Sequence, residues 1–183
     1  MGAKQPQPRA RRVVTGLDSS GRPAIVSDAD ATARLTRPGG ATVTEIWRVD
    51  RLPAHPDDAG PLAAEEVLAP PPDGLAVRVC TFPPDSALDA ETYGSYAASI
   101  AGSYGPGAAP GGQRPIPGLH RTDTVDVITV VSGELCLVTE NGETILRPGD
   151  SVVQRGTPHA WSNRTDSTTT VVAIMMGALR RRR

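Results

Sequence analysis

The chain has 183 residues, a formal net charge of −1, 19 Gly and 18 Pro. That length suits one domain with its own core, and the near-zero charge provides no global field to draw the chain to nucleic acid or an anionic membrane. Two Trp, three Tyr and one Phe leave the core to Val, Ile, Leu and Ala, while the many Gly and Pro point to turns and short strands rather than long helices.

Residues 1–11 (MGAKQPQPRAR) are basic, rich in Pro and Gln, and expected to be disordered. They carry no signal-peptide apolar run, and Pro6 stands where a myristoylation signal needs Ser or Thr. Short strands are expected at Arg12–Thr15 and Ala24–Ser27, on either side of a turn at 18–23 (DSSGRP). Thr42–Val49 alternates, with Val43, Glu45, Trp47 and Val49 on one face and Thr44, Ile46 and Arg48 on the other. A Pro- and Asp-rich loop over 50–62 carries His55, read as a surface residue. A stiff turn at 69–74 leads into a strand at Leu75–Phe82, which Pro83 and Pro84 stop.

The Ala-rich stretch Leu88–Ala101 predicts a short helix, capped by Ser86 with Asp89 and weakened by Gly94. The Gly/Pro-rich segment 102–118 then reads as a loop, placed to act as a lid. Tyr93, Tyr96 and Tyr104 either supply phenols from this region or pack the helix. Further strands are expected at Thr124–Val131, Glu134–Thr139, Glu143–Leu146, Ser151–Gln154, His159–Ser162 and Thr168–Met175. Turns at Ser132-Gly133, Asn141-Gly142 and Pro148–Asp150 separate them, and the Asn-Gly pair predicts a hairpin over 134–146. Arg180–Arg183 form a basic, solvated tail. Many short strands with turns between them indicate an antiparallel sandwich or barrel. Cys80 and Cys136 lack CxxC spacing and read as free thiols of a reducing compartment. With no apolar run long enough to span a bilayer, a cytoplasmic location is expected.

Two of the three histidines lie in the segments 118–134 (GLHRTDTVDVITVVSGE) and 149–163 (GDSVVQRGTPHAWSN). If 120–131 is one strand, His120, Thr122, Thr124, Asp126, Ile128 and Val130 share a face. Parity alone does not say which face points inward, because both turn apolar toward the end. His159 and Trp161 share a face on the later strand. A carboxylate inside a β-barrel is costly unless it is paired or binds a metal. Trp161 either lines a pocket or is plain core; Gln154 and Arg155 either orient a ligand or are solvated; Cys136 reads as a core filler.

These segments resemble the two motifs of small single-domain cupins. The first motif, G-x5-H-x-H-x3,4-E-x6-G, counted back from Gly133, sets Asp126 at the glutamate, Thr122 at the second histidine and His120 at the first. In the second, G-x5-P-x-G-x2-H-x3-N, Gly149, Gly156, His159 and Asn163 match, Gln154 replaces the proline, and the segment is one residue shorter. The resemblance covers roughly 118–175 and implies an all-β double-stranded β-helix, or jelly-roll barrel, with a short helix and an N-terminal strand extension. In that reading 12–117 supplies N-terminal strands, helix and loop that complete the barrel, 118–177 forms the barrel core, and 178–183 is the tail.

The resemblance further implies a metal-dependent enzyme acting by cyclisation, dehydration, isomerisation or decarboxylation on an oxygenated, polyketide-like metabolite. A divalent ion (Zn, Fe, Mn or Ni) would be held by His120, Asp126 and His159, with Thr122, Gln154 and Trp161 around the substrate. Threonine is a feeble ligand and Asp is shorter than Glu, so alternatives stand beside this one. The same ligands with Fe(II) would make a dioxygenase. Without a metal, His and Asp would act as an acid–base pair, the barrel would bind a ligand without turnover, or the cluster would be purely structural. The expected partners are a small-molecule substrate and a second copy of the chain, a homodimer that covers sheet edges, with neither nucleic acid nor membrane.

Overall fold

The computed structural model describes residues 9–58, 60, 69–103, 116 and 118–179. In chain order these form β1 (Arg11–Leu17), β2 (Pro23–Asp30), β3 (Arg34–Thr36), β4 (Thr42–Val49), β5 (Leu75–Phe82), α1 (Ala90–Ser103), β6 (Thr124–Ser132), β7 (Leu135–Thr139), β8 (Gly142–Leu146), β9 (Ser151–Gln154), β10 (Ala160–Ser162) and β11 (Thr169–Gly177). β1 and β2 make a separate hairpin. The remaining strands form a six-stranded sheet in the order β3-β4-β5-β11-β6-β9 and a three-stranded sheet in the order β10-β7-β8. All pairings are antiparallel.

Period-two patterning explains the stacking of the two larger sheets. On β6, Thr124, Asp126, Ile128 and Val130 are buried while the residues between them are half-buried; on β11, Thr169, Val171, Ala173 and Met175 do the same. Ile128, Val130, Val171 and Ala173 of the large sheet pack against Leu135, Leu137 and Leu146 of the small one. Two sheets of short antiparallel strands closing on one apolar interior make the all-β jelly roll that the motif resemblance implied. The turn between β6 and β7 needs glycine. Gly133 has φ +78°, and a Cβ there would sit 2.8 Å from the Thr169 Cα.

Local details depart from expectation. The strand β3 was not anticipated, being only three residues long. Alternation along β4 breaks at a bulge between Glu45 and Trp47, which leaves Ile46 as the extra residue. Thr42, Thr44 and Glu45 are therefore all buried, and the Arg12 Nε on β1 donates to the freed Ile46 carbonyl at 2.6 Å. The helix begins later than expected, and its cap is Asp89 rather than Ser86: the Asp89 Oδ1 accepts from the Thr92 N–H at 2.7 Å. In the β7–β8 hairpin Thr139 pairs with Gly142, so Glu140-Asn141 forms the turn and Gly142 opens the strand. His55 is exposed, and both cysteines are free. Residues 1–8, Tyr104, nearly all of the segment expected to be a lid, and the tail Arg180–Arg183 lie outside the described residues. No helix among the described residues is long and apolar enough to cross a membrane.

Candidate active site

His120 and His159 come together through their own backbones. Each donates its N–H to the other's carbonyl at 2.9 Å, an isolated antiparallel bridge just outside the regular strands. Close pairing of this kind aligns the two side chains, and the ring centroids lie 4.4 Å apart. The Nδ1 of His120 meets the Gly118 carbonyl at 2.8 Å, and that of His159 meets the Thr157 carbonyl at 2.9 Å. A carbonyl only accepts, so each Nδ1 carries the proton, and in a neutral ring the Nε2 is then unprotonated. Burial holds both rings neutral. It pushes His120 down to about 3, with the neighbouring His159 and Arg37 adding to the effect against the Gly118 carbonyl. It also lowers His159, against the Thr157 carbonyl.

Asp126 reaches the same interior from the middle of β6, where it pairs with Met175 on one side and Gln154 on the other. It is 3% exposed. Its Oδ1 has no hydrogen-bond partner among the described residues. Burial raises its carboxyl to about 6, against a hydrogen bond from the Thr124 hydroxyl and the positive charge of Arg78. Thr124 and Thr122 share a 2.6 Å hydroxyl contact. Since the Thr124 hydrogen goes to Asp126, Thr122 donates to Thr124. The residue at the second-histidine position thus joins a hydroxyl chain that ends on the carboxylate.

His120, Thr122, Asp126, His159 and Trp161 all line one cavity of about 70 Å³. About 10–15 Å³ of such space holds one water, so the cavity takes a compact organic molecule. Trp161 meets His159 edge-on, with centroids 5.4 Å apart. Expectation and structure part at Gln154. It is buried but is absent from the cavity wall, because its Nε2 donates to the Thr157 carbonyl and hydroxyl, each at 2.8 Å. It thereby holds the turn whose carbonyl fixes His159. Asn163 is a structural hub: its Nδ2 donates to the carbonyls of Phe82 and Ser167, each at 2.8 Å, and its Oδ1 accepts from Thr165.

His120, Asp126 and His159, the three side chains expected to hold a metal ion, line the same cavity. Among the described residues no three His, Cys, Asp or Glu side chains form a group that could hold a metal ion. Regular pairing starts only at Thr124, so His120 joins His159 in its bridge while Asp126 lies further along β6. Residues 120–130 keep their inward parity, but parity alone does not bring the carboxylate to the imidazoles.

Two cavity residues had no place in the sequence reading. Arg78, on β5, and Arg37, beside the Pro38–Gly40 turn, both line the wall and are 1% and 6% exposed. Parity along β5 offered a signal for Arg78, a lone charge on the same face as Ala76 and Cys80. No local pattern marks Arg37, which is covered when α1 packs back onto the barrel.

The fold and this buried imidazole–carboxylate interior define a jelly-roll barrel with a polar site in its hollow. Residues 108–175 match the family model described as Cupin domain. The chain is 38% identical over 102 residues to Phomopsin biosynthesis cluster protein D of Diaporthe leptostromiformis, an overlap of 50% of this chain and 52% of that protein. Over 62 residues it is 44% identical to the cupin-domain-containing oxidoreductase fogC of Aspergillus ruber, covering 33% of this chain and 29% of that one. The chain spans about half the length of the first curated relatives it matches. Among solved structures, a Cupin 2 conserved barrel domain protein from Salinispora arenicola aligns with 14% identity and a TM-score of 0.41, over 78% of this chain and 81% of that one.

Proposed function

We propose that this chain is a small-molecule enzyme that moves a proton on an oxygenated substrate held in the barrel cavity, in an isomerisation, dehydration or cyclisation step of specialised metabolism. The observation that carries this reading is the buried carboxylate oxygen of Asp126, which has no hydrogen-bond partner among the described residues, in a cavity that also holds two neutral imidazoles. Relatives named for biosynthesis clusters support the metabolic setting.

The roles follow from proton affinity. A general base works best with a pKa near the working pH, and Asp126, raised to about 6, meets that condition. His120, at about 3, is too weak a base to compete. Its Nε2 and that of His159 instead accept hydrogen bonds from a substrate hydroxyl or enol and orient the molecule. Asp126 then takes a proton from an adjacent carbon made acidic by a carbonyl and returns it elsewhere on the same molecule.

A suitable probe is 4-hydroxy-2-butanone, which offers one hydroxyl and two carbons acidified by its ketone. In D2O the protein should accelerate loss of its α-proton NMR signals, with a rate that rises with pH through about 6 as Asp126 ionises. Asp126→Asn should abolish the acceleration. Equal rates for the wild type and this variant would refute the proton-transfer role.

We also propose that two copies of the chain pair through the β1–β2 hairpin. Val13, Leu17, Ile25 and Val26 there are exposed, and a lone hairpin with apolar side chains in water is marginal.

A further inference from the structure

The two guanidinium groups in the cavity wall take no part in the proton transfer, yet burying them is costly unless their charge and donors are met. Arg37 gives Nη1 to the Ser99 carbonyl and hydroxyl, at 2.8 and 3.0 Å. Arg78 gives Nη2 to the Glu45 Oε2 at 3.2 Å and Nη1 to the Met175 Sδ at 3.0 Å, and a thioether is a weak acceptor. The Arg78 Nε has no hydrogen-bond partner among the described residues. Glu45 is itself shared, with the Arg48 Nη1 3.9 Å from the same oxygen, so it balances Arg78 only in part. Among the described residues that line the cavity, Arg37 and Arg78 face a single acid, Asp126. The lining therefore presents two guanidinium groups beside an apolar wall that includes Ile100, Ile128 and Val171.

We propose that the cavity selects an organic monocarboxylate, its carboxylate held by Arg37 and Arg78 and its carbon skeleton lying along the apolar wall toward His120 and His159. A guanidinium fork matches a carboxylate in both charge and shape. Small Ala173 lies between Arg78 and Ile128 in the sheet register, which leaves room beside the guanidinium. The inference rests on the cavity being the substrate site, but it does not require Asp126 to transfer a proton.

The test uses the full, isotope-labelled chain titrated with butyrate and with its neutral isostere butyramide, read at the His120 and His159 ring resonances. Butyrate is expected to move both rings at concentrations about tenfold or more below those needed for butyramide. Arg37→Met should erase that preference, and Arg37→Lys should restore part of it. Arg78→Met strips Glu45 of its main partner and can unfold the chain, so Arg78→Met/Glu45→Gln serves as the second variant, with the same loss expected. Equal binding of the two probes, a preference that survives in both variants, or ring resonances that neither probe moves would overturn the proposal. If exchange of 4-hydroxy-2-butanone fails while the butyrate preference stands, proton transfer falls and carboxylate selection survives. The reverse result overturns carboxylate selection alone.

Discussion

Asp126 is a position where the barrel works against a charge. Its folded carboxyl lies at about 6, above the ordinary carboxylate value, so between roughly pH 4 and pH 6 the folded chain binds this proton more tightly than the unfolded chain. Ionisation therefore weakens the fold, fully above about pH 6 and not at all below about pH 4. Asp126→Asn is expected to stabilise the protein by about 1–3 kcal/mol near pH 8 and by nothing near pH 4, as measured by urea denaturation. His120 has the opposite sense: its folded value lies far below the unfolded one, so stability drains away as pH falls from about 6.5 toward 3, a slope that His120→Asn should flatten. At Asn163 the polar contacts are internal, and Asn163→Ala should cost about 2–4 kcal/mol by the same assay, because it leaves buried carbonyls unpaired. The matched motif marked this asparagine, but its spacing did not distinguish a scaffold role from a chemical one. The hydrogen bonds do.

At the scale of elements, α1 closes one side of the cavity. Tyr96 and Ile100 on this helix pack against Ala41, and Arg37 ties the helix to the barrel through Ser99. Its N-cap is exposed and separable from that packing, so Asp89→Ala should cost about 1 kcal/mol and lower the Tm by a few degrees. Strands β4, β5 and β9 were legible to the residue, since a period of two with β-branched side chains and flanking Pro or Gly leaves few alternatives. The bulge at Glu45 was not legible. It comes from a cross-strand pairing with Arg78 on β5 and from Arg12 on β1, both distant in sequence. The same bulge turns Glu45 inward to meet Arg78, so the polar wall missed in the sequence and the break in alternation share one cause.

Over the whole molecule, motif spacing pointed to His120, Asp126 and His159 as sharing one interior, whereas it gave no sign of Arg37 and Arg78 in the same wall. Parity aligned His120 with Asp126, but the bridge that pairs the two histidines lies outside the regular strand that carries Asp126. On this geometry, elemental analysis of the purified protein should find well under one equivalent of any transition metal. A full equivalent lost in His159→Ala would instead support a metal-bound site. The proposed pairing through β1–β2 predicts a dimer in analytical ultracentrifugation that Ile25→Asp converts to a monomer. The most direct test of the account is the carbon-13 NMR titration of the Asp126 carboxyl in the full chain, from about pH 3 to about pH 9. A midpoint at about 6 is predicted; a midpoint near the ordinary carboxylate value of about 4 would contradict a buried base in this cavity.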